Sequence, residues 1–499
     1  MKDAFNIYQF VLWFNMGKQL LSAYELAQQR IIVSNYRDRL EWQENLQKKE
    51  MEEIDSLYED NSTDFENEEN NWVEKKTSKL YTQEEIIAHR ESKNKKNIHN
   101  NVITNEDKED MQKVKTNMNY QDDSLEVHWY GNFTSYSGFS RQNRAMAFGL
   151  SNRNAIVKVD MQPCGIEVND ATLNELKILS NREISASAPK VYGATVPLSF
   201  SHGGKKILYT MMESSQTLHP NYVGKLNLFD EIWVPTNHGK ELFKKNGVLP
   251  PIYVMPLGVD TDRYHSSVKP IDFDFDLNSF VFLSVFKWGY RKGYDILLKA
   301  FMEAFSSDDD VSLLICSRTD VNHKPEVIAS DFNNIRSSIS KDDEDLPHVA
   351  LYDKIIKEKD MPGIYAASDA FVLISRGEGF GLPYCEAGSC GLPVIASNCS
   401  GHSDFLNKDN SFLVEPEGYS KAKINGNMSK MAKQCGFYEE QMFPEFGMDS
   451  ISQTINHMRF VYEDYVLAKE KANKLQNYIH NNLTWDNSID KVYNRLKEI

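Results

Sequence analysis

The chain has 499 residues, enough for two or three domains at roughly 100–200 residues each, and 41% of them are hydrophobic, which is sufficient to fill the cores of those domains. Its 72 acidic residues outnumber its 56 basic residues, and the formal net charge is -16. A protein with this charge is a poor general binder of nucleic acid, because attraction to phosphate needs a basic surface.

Six cysteines are spread through the chain without a CxxC pair and without histidines at zinc-ligand spacing. They are Cys164, Cys316, Cys385, Cys390, Cys399 and Cys435. We expect them to be reduced residues that fill small spaces in the core. The acidic run Asp308–Asp310 is typical of a solvated loop. The sequence therefore predicts no metal site.

Residues 1–120 differ in composition from the rest of the chain. The apolar stretch Phe5–Phe14 is interrupted by polar residues and is shorter than the roughly 20 residues that span a bilayer. It also lacks the basic region and cleavage site of a secretory signal, so we expect a soluble, cytoplasmic protein. Apolar residues at helical spacing predict a helix over residues 4–60. The polar composition of residues 61–120 predicts a linker or a disordered arm.

This N-terminal extension, residues 1–120, has three interpretations. It is a helix that binds a partner protein, a membrane-interface anchor that uses aromatic side chains, or a dispensable tail. The aromatic candidates are Phe5, Phe10, Trp13 and Phe14. The second interpretation would make the protein peripheral at the inner face of the membrane.

From residue 125 onward, short apolar runs alternate with helical patterns. The predicted elements of a first set are the strands Leu125–Tyr130, Lys206–Thr210, Glu231–Val234 and Tyr253–Met255 and the helices Tyr222–Leu228 and His238–Asn246. Those of a second set are the strands Phe280–Val285, Val311–Ile315, Phe371–Ile374 and Val394–Ala396 and the helices Tyr294–Phe305, Pro362–Ala367 and Pro383–Cys390. Strands that alternate with helices form parallel sheets. The pattern predicts an α/β protein with two Rossmann-like, doubly wound domains that meet near residues 255–270.

The segment after the predicted strand Phe371–Ile374 is the most informative in the chain. It reads Ser-Arg-Gly-Glu-Gly-Phe-Gly-Leu-Pro-Tyr-Cys-Glu over residues 375–386. A loop that leaves the carboxyl end of a parallel strand faces the ligand crevice, and glycines let its backbone approach a ligand closely. Pro383 suits the first turn of a helix, whose free N–H groups attract an anion. Glu378 and Glu386 are two carboxylates for the hydroxyl groups of one ligand, or Glu386 merely stabilises the N-terminus of a helix and Glu378 is a solvated loop charge.

A basic turn follows the predicted strand Phe280–Val285. Lys287, Arg291 and Lys292 lie between the end of that strand and the next predicted helix. Cations at the carboxyl end of a strand, beside a helix N-terminus, suit a diphosphate. An ordinary solvated turn has the same composition, and the turn alone does not decide between the two.

Together the two segments resemble family 4 of the retaining glycosyltransferases, which have the two-domain GT-B fold. Glu378 and Glu386, eight positions apart, are similar to the Glu-x7-Glu signature of that family, and Ala387–Ala396 resembles its continuation. Lys292 and the following glycine resemble the end of the family's Gly-Arg-x4-Lys-Gly motif. Lys287 stands where that motif carries arginine, and lysine offers a point charge in place of a bidentate fork.

The resemblance implies a donor site in the C-terminal domain. It implies that Glu378 contacts the donor hexose and Glu386 the ribose of the nucleotide. Backbone amides of the intervening loop would approach the sugar and phosphates, at Gly379, Phe380, Gly381 and Leu382. The diphosphate would be bound by Lys292, Lys287 and Arg291. Gly138, in the loop after the first strand, would close over it, and Arg141 and Arg144 would add charge there or lie solvated on the helix.

Further segments are similar to family patterns at the domain borders. Pro256–Asp260 resembles the segment that crosses between the domains, and Leu483–Trp485 resembles the segment before the last helix. The implied division is residues 1–120, the extension; 121–258, an acceptor-side domain; 259–478, a donor domain; and 479–499, a helix that packs back on the acceptor-side domain.

Several single residues have open roles. Glu213 belongs to a stretch similar to that of a subset of these enzymes, and it lines the cleft or has a packing or surface role. His202, His219 and His402 are each conceivable catalytic groups, but a lone histidine is more often structural.

The resemblance implies retaining transfer of a hexose from a nucleotide sugar, a UDP- or GDP-sugar, to a glycan, lipid or protein acceptor. No cofactor or metal is obligatory, and Glu378, Lys292 and Lys287 carry catalysis. The alternatives are a catalytically silent protein that binds nucleotide sugars or acts as a scaffold, and a nucleotide-sugar epimerase of the same fold. Glycoside hydrolysis also uses two carboxylates, but cationic, glycine-rich strand ends favour a diphosphate ligand.

Overall fold

The computed structural model describes residues 125–162, 168–195, 201, 203–319, 324–421 and 441–499. The predicted helix over residues 4–60 and the predicted linker over residues 61–120 lie outside the described residues, as do Cys164, His202 and Cys435. Among the helices that are described, none combines the length and the hydropathy that a bilayer span requires.

The first domain is built on a parallel sheet with the strand order β2-β1-β3-β4-β5-β6. Its strands are β1 (Glu126–Gly131), β2 (Ile156–Met161), β3 (Lys190–Gly193), β4 (Lys206–Tyr209), β5 (Glu231–Val234) and β6 (Ile252–Val254). Its helices are α1 (Gly138–Ser151), α2 (Asp170–Ser180), α3 (Pro220–Leu226) and α4 (Asn237–Lys245). Because β2 and β3 lie on opposite sides of β1, the strand order reverses beside β1.

The second domain repeats this plan with the order β12-β11-β10-β7-β8-β9. Its strands are β7 (Phe280–Lys287), β8 (Val311–Arg318), β9 (His348–Tyr352), β10 (Ala370–Leu373), β11 (Val394–Ser397) and β12 (Phe412–Val414). Its helices are α5 (Tyr294–Ala304), α6 (Pro325–Arg336), α7 (Met361–Ala366) and α8 (Leu382–Ser389). The order reverses between β7 and β10, and such a reversal is where ligands of doubly wound sheets bind.

The last part of the chain completes both domains. Strand β13 (Gly418–Lys421) pairs antiparallel with β14 (Met442–Glu445), and β14 is followed by the helices α9 (Met448–Glu463), α10 (Tyr465–Asn482) and α11 (Trp485–Lys497). Short 3-10 turns lie at Tyr290–Lys292, Asp343–Asp345 and Gly401–Asp404.

Burial explains why the central strands read as continuous apolar runs. Every residue of β10 and β11 is buried, since a parallel sheet is covered by helices on both faces. On one face of β7, Phe282 packs against Phe301 and Phe305 of the α5 region, with ring centroids 6.2 and 5.7 Å apart.

The structure confirms the predicted α/β architecture of two Rossmann-like sheets and the predicted strands, with end shifts of up to three residues. The predicted helix Pro383–Cys390, for example, is α8. Two strands in the first sheet were missed because polar residues interrupt their pattern. β2 carries Lys158 and Asp160 on its more exposed face. β3 begins with Lys190, which is buried because its ammonium group donates to the carbonyl oxygens of Ala186 and Gly203.

Two chain segments cross between the domains side by side. Val259 N donates to Leu483 O at 2.8 Å, and Trp485 N donates to Val259 O at 3.4 Å. The chain then enters α11, which packs on α1 of the first domain, where Ile489 lies directly over Gly149. The C-terminal helix thus fastens the end of the chain to the first domain.

A buried carboxylate anchors α11 to the first sheet. Glu231 is fully buried in β5 and accepts hydrogen bonds from Arg495 at 2.9 and 2.7 Å and from Trp233 Nε1 at 2.7 Å. Lys205 Nζ lies 3.0 Å from the same carboxylate. Burial alone would raise the pKa of Glu231, but these donors outweigh it and lower the pKa.

Replacing Arg495 by alanine should destabilise the protein by about 3 kcal/mol, because the partner left behind is a buried carboxylate. Urea unfolding measures this change. Arg459 pairs with the partly exposed Asp309 and the exposed Glu463, so the control Arg459→Ala should cost about 1 kcal/mol or less. Equal losses for the two variants would contradict the anchoring role of Glu231.

Candidate functional site

The strand reversal places two loops of the second domain side by side, residues 288–293 after β7 and residues 374–381 after β10. Gly293 adopts a φ of 69°, and a Cβ atom there would lie 1.8 Å from Ile374 O. Only glycine fits this contact. The basic turn and the glycine-rich segment therefore meet at the carboxyl ends of β7 and β10.

A buried ion pair lies where the two loops meet. Lys292 Nζ is 2.5 Å from Glu378 Oε1, which also accepts a hydrogen bond from Ser375 Oγ at 2.8 Å. Arg291 Nη1 is 3.7 Å from the same oxygen. Burial would raise the pKa of Glu378, but the charges of Lys292 and Arg291 and the two hydrogen bonds lower it to about 2. Burial lowers the pKa of Lys292, and the charge of Glu378 offsets only part of that effect.

Arg376, which the sequence reading did not single out, fixes the basic turn. Its guanidinium group donates to both carboxylate oxygens of Asp295 at 2.7 Å and lies 3.7 Å from the ring centroid of Tyr290. Its backbone N–H donates to Arg291 O at 2.7 Å. Because these contacts bind the two loops together, Arg376 holds Arg291 and Lys292 close to Glu378.

The glycine-rich loop is buried along its length, and its one aromatic side chain packs in the core. Phe380 is 3% exposed and packs on Phe405 with ring centroids 5.3 Å apart. Gly381 has a φ of 101°, and a Cβ atom there would lie 2.7 Å from the ring of Tyr384. The loop then continues into α8, which begins at Leu382.

Two of the three candidate histidines have structural roles. His402 is fully buried beneath the loop, and its Nε2 lies 2.6 Å from Ser397 O. Burial lowers the pKa of His402 to about 4, so the ring is neutral near pH 7 and donates its Nε2 proton to that carbonyl. His219 caps α3 by accepting a hydrogen bond from Asn221 N.

Glu386 lies in the second turn of α8 and is 1% exposed. Its Oε2 accepts a hydrogen bond from the Tyr365 hydroxyl at 2.7 Å. Its Oε1 lies 2.5 Å from Arg141 Nη2, a residue of α1 in the first domain. This carboxylate is therefore bound by both domains.

Gly138 is the first residue of α1, directly after the loop that leaves β1 of the first sheet. Arg144 Nη1 donates to Phe133 O at 2.7 Å and to Ser135 O at 2.8 Å, which fixes the backbone of this loop. Ser137 accepts a hydrogen bond from Ser140 N and caps α1. Among the residues that the structure describes, no atom beyond the adjoining chain lies within 4 Å of a Cβ built on Gly138, so they leave the start of α1 open at that point.

A loop that follows β4 adds a further carboxylate from the first domain. Glu213 Oε1 is 3.3 Å from Arg291 Nη2. Its backbone oxygen lies against Gly377, and Met211 packs on Gly379, where added Cβ atoms would come within 2.3 and 2.6 Å of them. Glu213 therefore lies at the cleft, which is the first of the two roles predicted for it.

A cavity of about 540 Å³ opens between α1, the crossing segment and the loop that follows β9. Its charged lining residues are Arg141, Arg144, Asp260, Asp262, Arg263, Glu358, Lys359 and Asp486. Because Arg141 lines this cavity and also contacts Glu386, the cavity adjoins the Glu386 carboxylate.

The structure brings some of the predicted charged site residues together and leaves others apart. Glu378, Lys292 and Arg291 form one ion cluster at the strand reversal, and Glu386 lies eight residues further along, in α8. Lys287 is exposed at the end of β7, opposite Arg318 of β8. The buried cation on Glu378 is thus Lys292, and the part assigned to Lys287 stays a prediction.

Comparison with known proteins identifies part of the chain. Residues 278–426 match the domain family described as Glycosyl transferases group 1. Mannosylfructose-phosphate synthase of Agrobacterium fabrum is 22% identical over 197 residues, which cover 36% of this chain and 42% of that protein. O-antigen chain mannosyltransferase B of Escherichia coli is 54% identical over 61 residues, 12% of this chain and 16% of that protein. The matches thus span less than half the length of both curated relatives.

The fold has relatives among solved structures. The crystal structure of Anabaena HepE in complex with UDP and glucose superposes with a TM-score of 0.51 and 13% identity, covering 75% of this chain and 100% of that chain. The two sheets described above therefore form the GT-B architecture, as predicted. The strands of the second sheet lie within the residues that match Glycosyl transferases group 1.

Replacing Glu378 by glutamine should make stability less dependent on acid pH. A carboxylate with a pKa of about 2 in the folded state and roughly 4.3 in the unfolded state contributes about 3 kcal/mol at pH 7. Because the folded pKa is depressed, this contribution is present above the unfolded pKa and is lost as the pH falls through the folded pKa.

Urea unfolding at pH 7 and near pH 3 measures the effect. Glu378→Gln should be clearly less stable than the wild type at pH 7, and the difference should shrink near pH 3. Glu303→Gln, which removes a partly exposed partner 3.9 Å from Lys299, is the control and should change little at either pH. A Glu378→Gln difference that is the same at both pH values would contradict the depressed pKa.

Proposed function

We propose that the protein is a retaining glycosyltransferase of family 4 that moves a hexose from a nucleotide sugar to an acceptor. The observation that carries this proposal is the buried Lys292–Glu378 pair at the strand reversal, within and beside a glycine-rich loop. The matched domain family and the two sugar-transferring relatives support the class of reaction. HepE was solved with UDP, and two relatives are named for mannosyl chemistry, so UDP- and GDP-sugars are the donors to test.

In this proposal, the cations of the second domain hold the donor diphosphate. Negative charge develops on the diphosphate as the bond between its oxygen and the anomeric carbon breaks. Lys292 and Arg291 already lie 2.5 and 3.7 Å from one carboxylate oxygen, so positive charge is fixed at this point before a ligand arrives. Groups fixed in this way stabilise a transition state without reorganising, which is usually the largest catalytic contribution.

The two carboxylates orient the rest of the donor. Glu378 would accept hydrogen bonds from hexose hydroxyls, and Glu386 from the ribose. The backbone amides of Gly379, Phe380, Gly381 and Leu382 would approach the sugar and phosphates, because the glycines of this loop place no side chain between the backbone and a ligand.

The reaction balances without a protein nucleophile. The acceptor oxygen attacks the anomeric carbon on the face from which the diphosphate leaves, and the acceptor proton passes to a departing phosphate oxygen. Gly138 would cover the diphosphate from the first domain. No metal and no cofactor is needed in this scheme, and the acceptor is a glycan, a lipid or a protein.

A thermal-shift screen with UDP-, GDP- and ADP-sugars tests donor binding. One nucleotide class should raise the melting temperature of the wild type, because a ligand that binds only the folded state stabilises it. Glu386→Ala should weaken this rise, whereas Glu303→Ala, remote from the cleft, should keep it. Failure of every nucleotide sugar to stabilise the wild type would remove the main support for the proposal.

Turnover of the stabilising donor then separates a transferase from its two alternatives. Release of nucleoside diphosphate with an acceptor glycosidic bond of unchanged anomeric configuration, read by NMR, is the expected result. Lys292→Ala should lower kcat by about 10²–10³, and Lys287→Ala should lower it less. Donor binding without turnover would indicate a silent binding protein, and a change in the sugar itself an epimerase.

For the N-terminal extension, residues 1–120, we propose a binding role, to a partner protein or to the cytoplasmic face of a membrane. The motivation is the aromatic stretch Phe5–Phe14 at the start of the predicted helix over residues 4–60. Deleting residues 1–120 should leave turnover of a soluble acceptor intact and abolish sedimentation with liposomes of anionic lipid or capture of the partner. Unchanged sedimentation and capture in the deleted protein would favour the dispensable tail.

A further inference from the structure

Glu386, the carboxylate proposed to hold the ribose, is engaged on both oxygens within this chain. Oε2 accepts a hydrogen bond from the Tyr365 hydroxyl, and Oε1 pairs with Arg141 at 2.5 Å. Within the described residues, Oε1 accepts no hydrogen bond of good geometry, so its contact with Arg141 is an ion pair and not an aligned hydrogen bond. Because this oxygen is buried, a ribose hydroxyl that reached it would compete with Arg141 for it.

Arg141 comes from the opposite domain. It lies in the first turn of α1, three residues after Gly138, whose loop is proposed to cover the diphosphate. Its Nε is also 3.8 Å from Glu358 Oε1, and Arg144, one turn further along α1, is 3.2 Å from Glu358 Oε2. The start of α1 is thus tied to two carboxylates of the second domain.

A second polar group beside this pair lacks a partner. The Tyr264 side chain is 1% exposed, and its hydroxyl group makes no hydrogen bond within the described residues. Its ring packs edge-on against that of Tyr365, with centroids 5.9 Å apart, and the charges of Glu386 and Arg141 both act on its pKa, which burial raises. Buried hydroxyl groups nearly always have a partner, so this one points to a polar ligand at the same place.

Arg141 and Glu386 are each complementary to one part of a nucleotide. Two carboxylates face this guanidinium group, and a donor would add ribose hydroxyls, which suit Glu386, and a diphosphate, which suits arginine. The ligand would therefore supply one partner to each member of the ion pair when it separates them.

We propose, on the basis of the function inferred above, that Arg141 is a donor-binding residue that exchanges Glu386 for the donor diphosphate, and that the Tyr264 hydroxyl joins Glu386 in binding the ribose. Arg141 then has two opposing effects. It competes with the ribose for Glu386, and it attracts the diphosphate. A purely structural ion pair would not separate these effects.

The proposal predicts opposite changes for two ligands of one variant. Loss of the guanidinium group frees Glu386, so a nucleoside without phosphate should bind Arg141→Gln at least about threefold more tightly than it binds the wild type. The matching nucleoside diphosphate should bind about tenfold or more weakly, because a charge-assisted hydrogen bond to phosphate is lost. Arg141→Lys keeps the charge and should bind the diphosphate with intermediate affinity.

Isothermal titration with uridine and UDP, or with guanosine and GDP, measures the two affinities on the full chain. Arg153→Gln is the matched control, since Arg153 follows α1 and pairs with Asp486 and Asp490 of α11, and it should bind both ligands as the wild type does. Tyr264→Phe should weaken nucleoside binding while leaving thermal stability unchanged or higher. Thermal unfolding of each variant confirms that it is folded.

The possible outcomes test the Arg141 exchange and the proposed function separately. A shift of both affinities in the same direction in Arg141→Gln, or no shift in either, overturns the exchange while the wild type still binds the diphosphate. Failure of the wild type to bind any nucleoside diphosphate removes the proposed function and the exchange together.

Discussion

The ion pair between Lys292 and Glu378 is the interaction on which the rest of the site depends. Both side chains are buried at the one place in the second sheet where the strand order reverses. Two buried charges are stable there only because each has partners: Ser375 and Arg291 for the carboxylate, and the carboxylate for the ammonium group. The low local dielectric that makes such a pair costly also makes its field strong toward a charged ligand.

The fold supplies the geometry that this pair needs. The contact of Gly293 with Ile374 sets the distance between the two loops, and Arg376 fixes their relative orientation through Asp295. The first domain reaches the same cluster through Glu213 and reaches Glu386 through Arg141. Charged groups of both domains therefore converge on one cleft, and the crossing segments and α11 also join the domains.

Much of this arrangement could be read from the sequence, because it depends on local patterns. Apolar runs between helical segments identified both sheets, and the glycine-rich and basic segments fell at the ends of β10 and β7. Strands β2 and β3 were missed because each contains a lysine. Lys158 of β2 lies on a partly exposed face of the sheet, and Lys190 of β3 is buried with its ammonium group bound to distant carbonyl groups. Contacts such as Arg141 with Glu386 join residues far apart in the chain, and no local pattern reports them. Likewise, only the folded turn shows that Lys292, and not Lys287, is the buried partner of Glu378.

The most direct test of this account is a crystal structure of the protein with the nucleoside diphosphate that it binds best. The account predicts density for the diphosphate within hydrogen-bonding distance of Lys292, with the ribose hydroxyls at Glu386. A diphosphate bound away from Lys292, with the Lys292–Glu378 pair undisturbed and the ribose remote from Glu386, would contradict it.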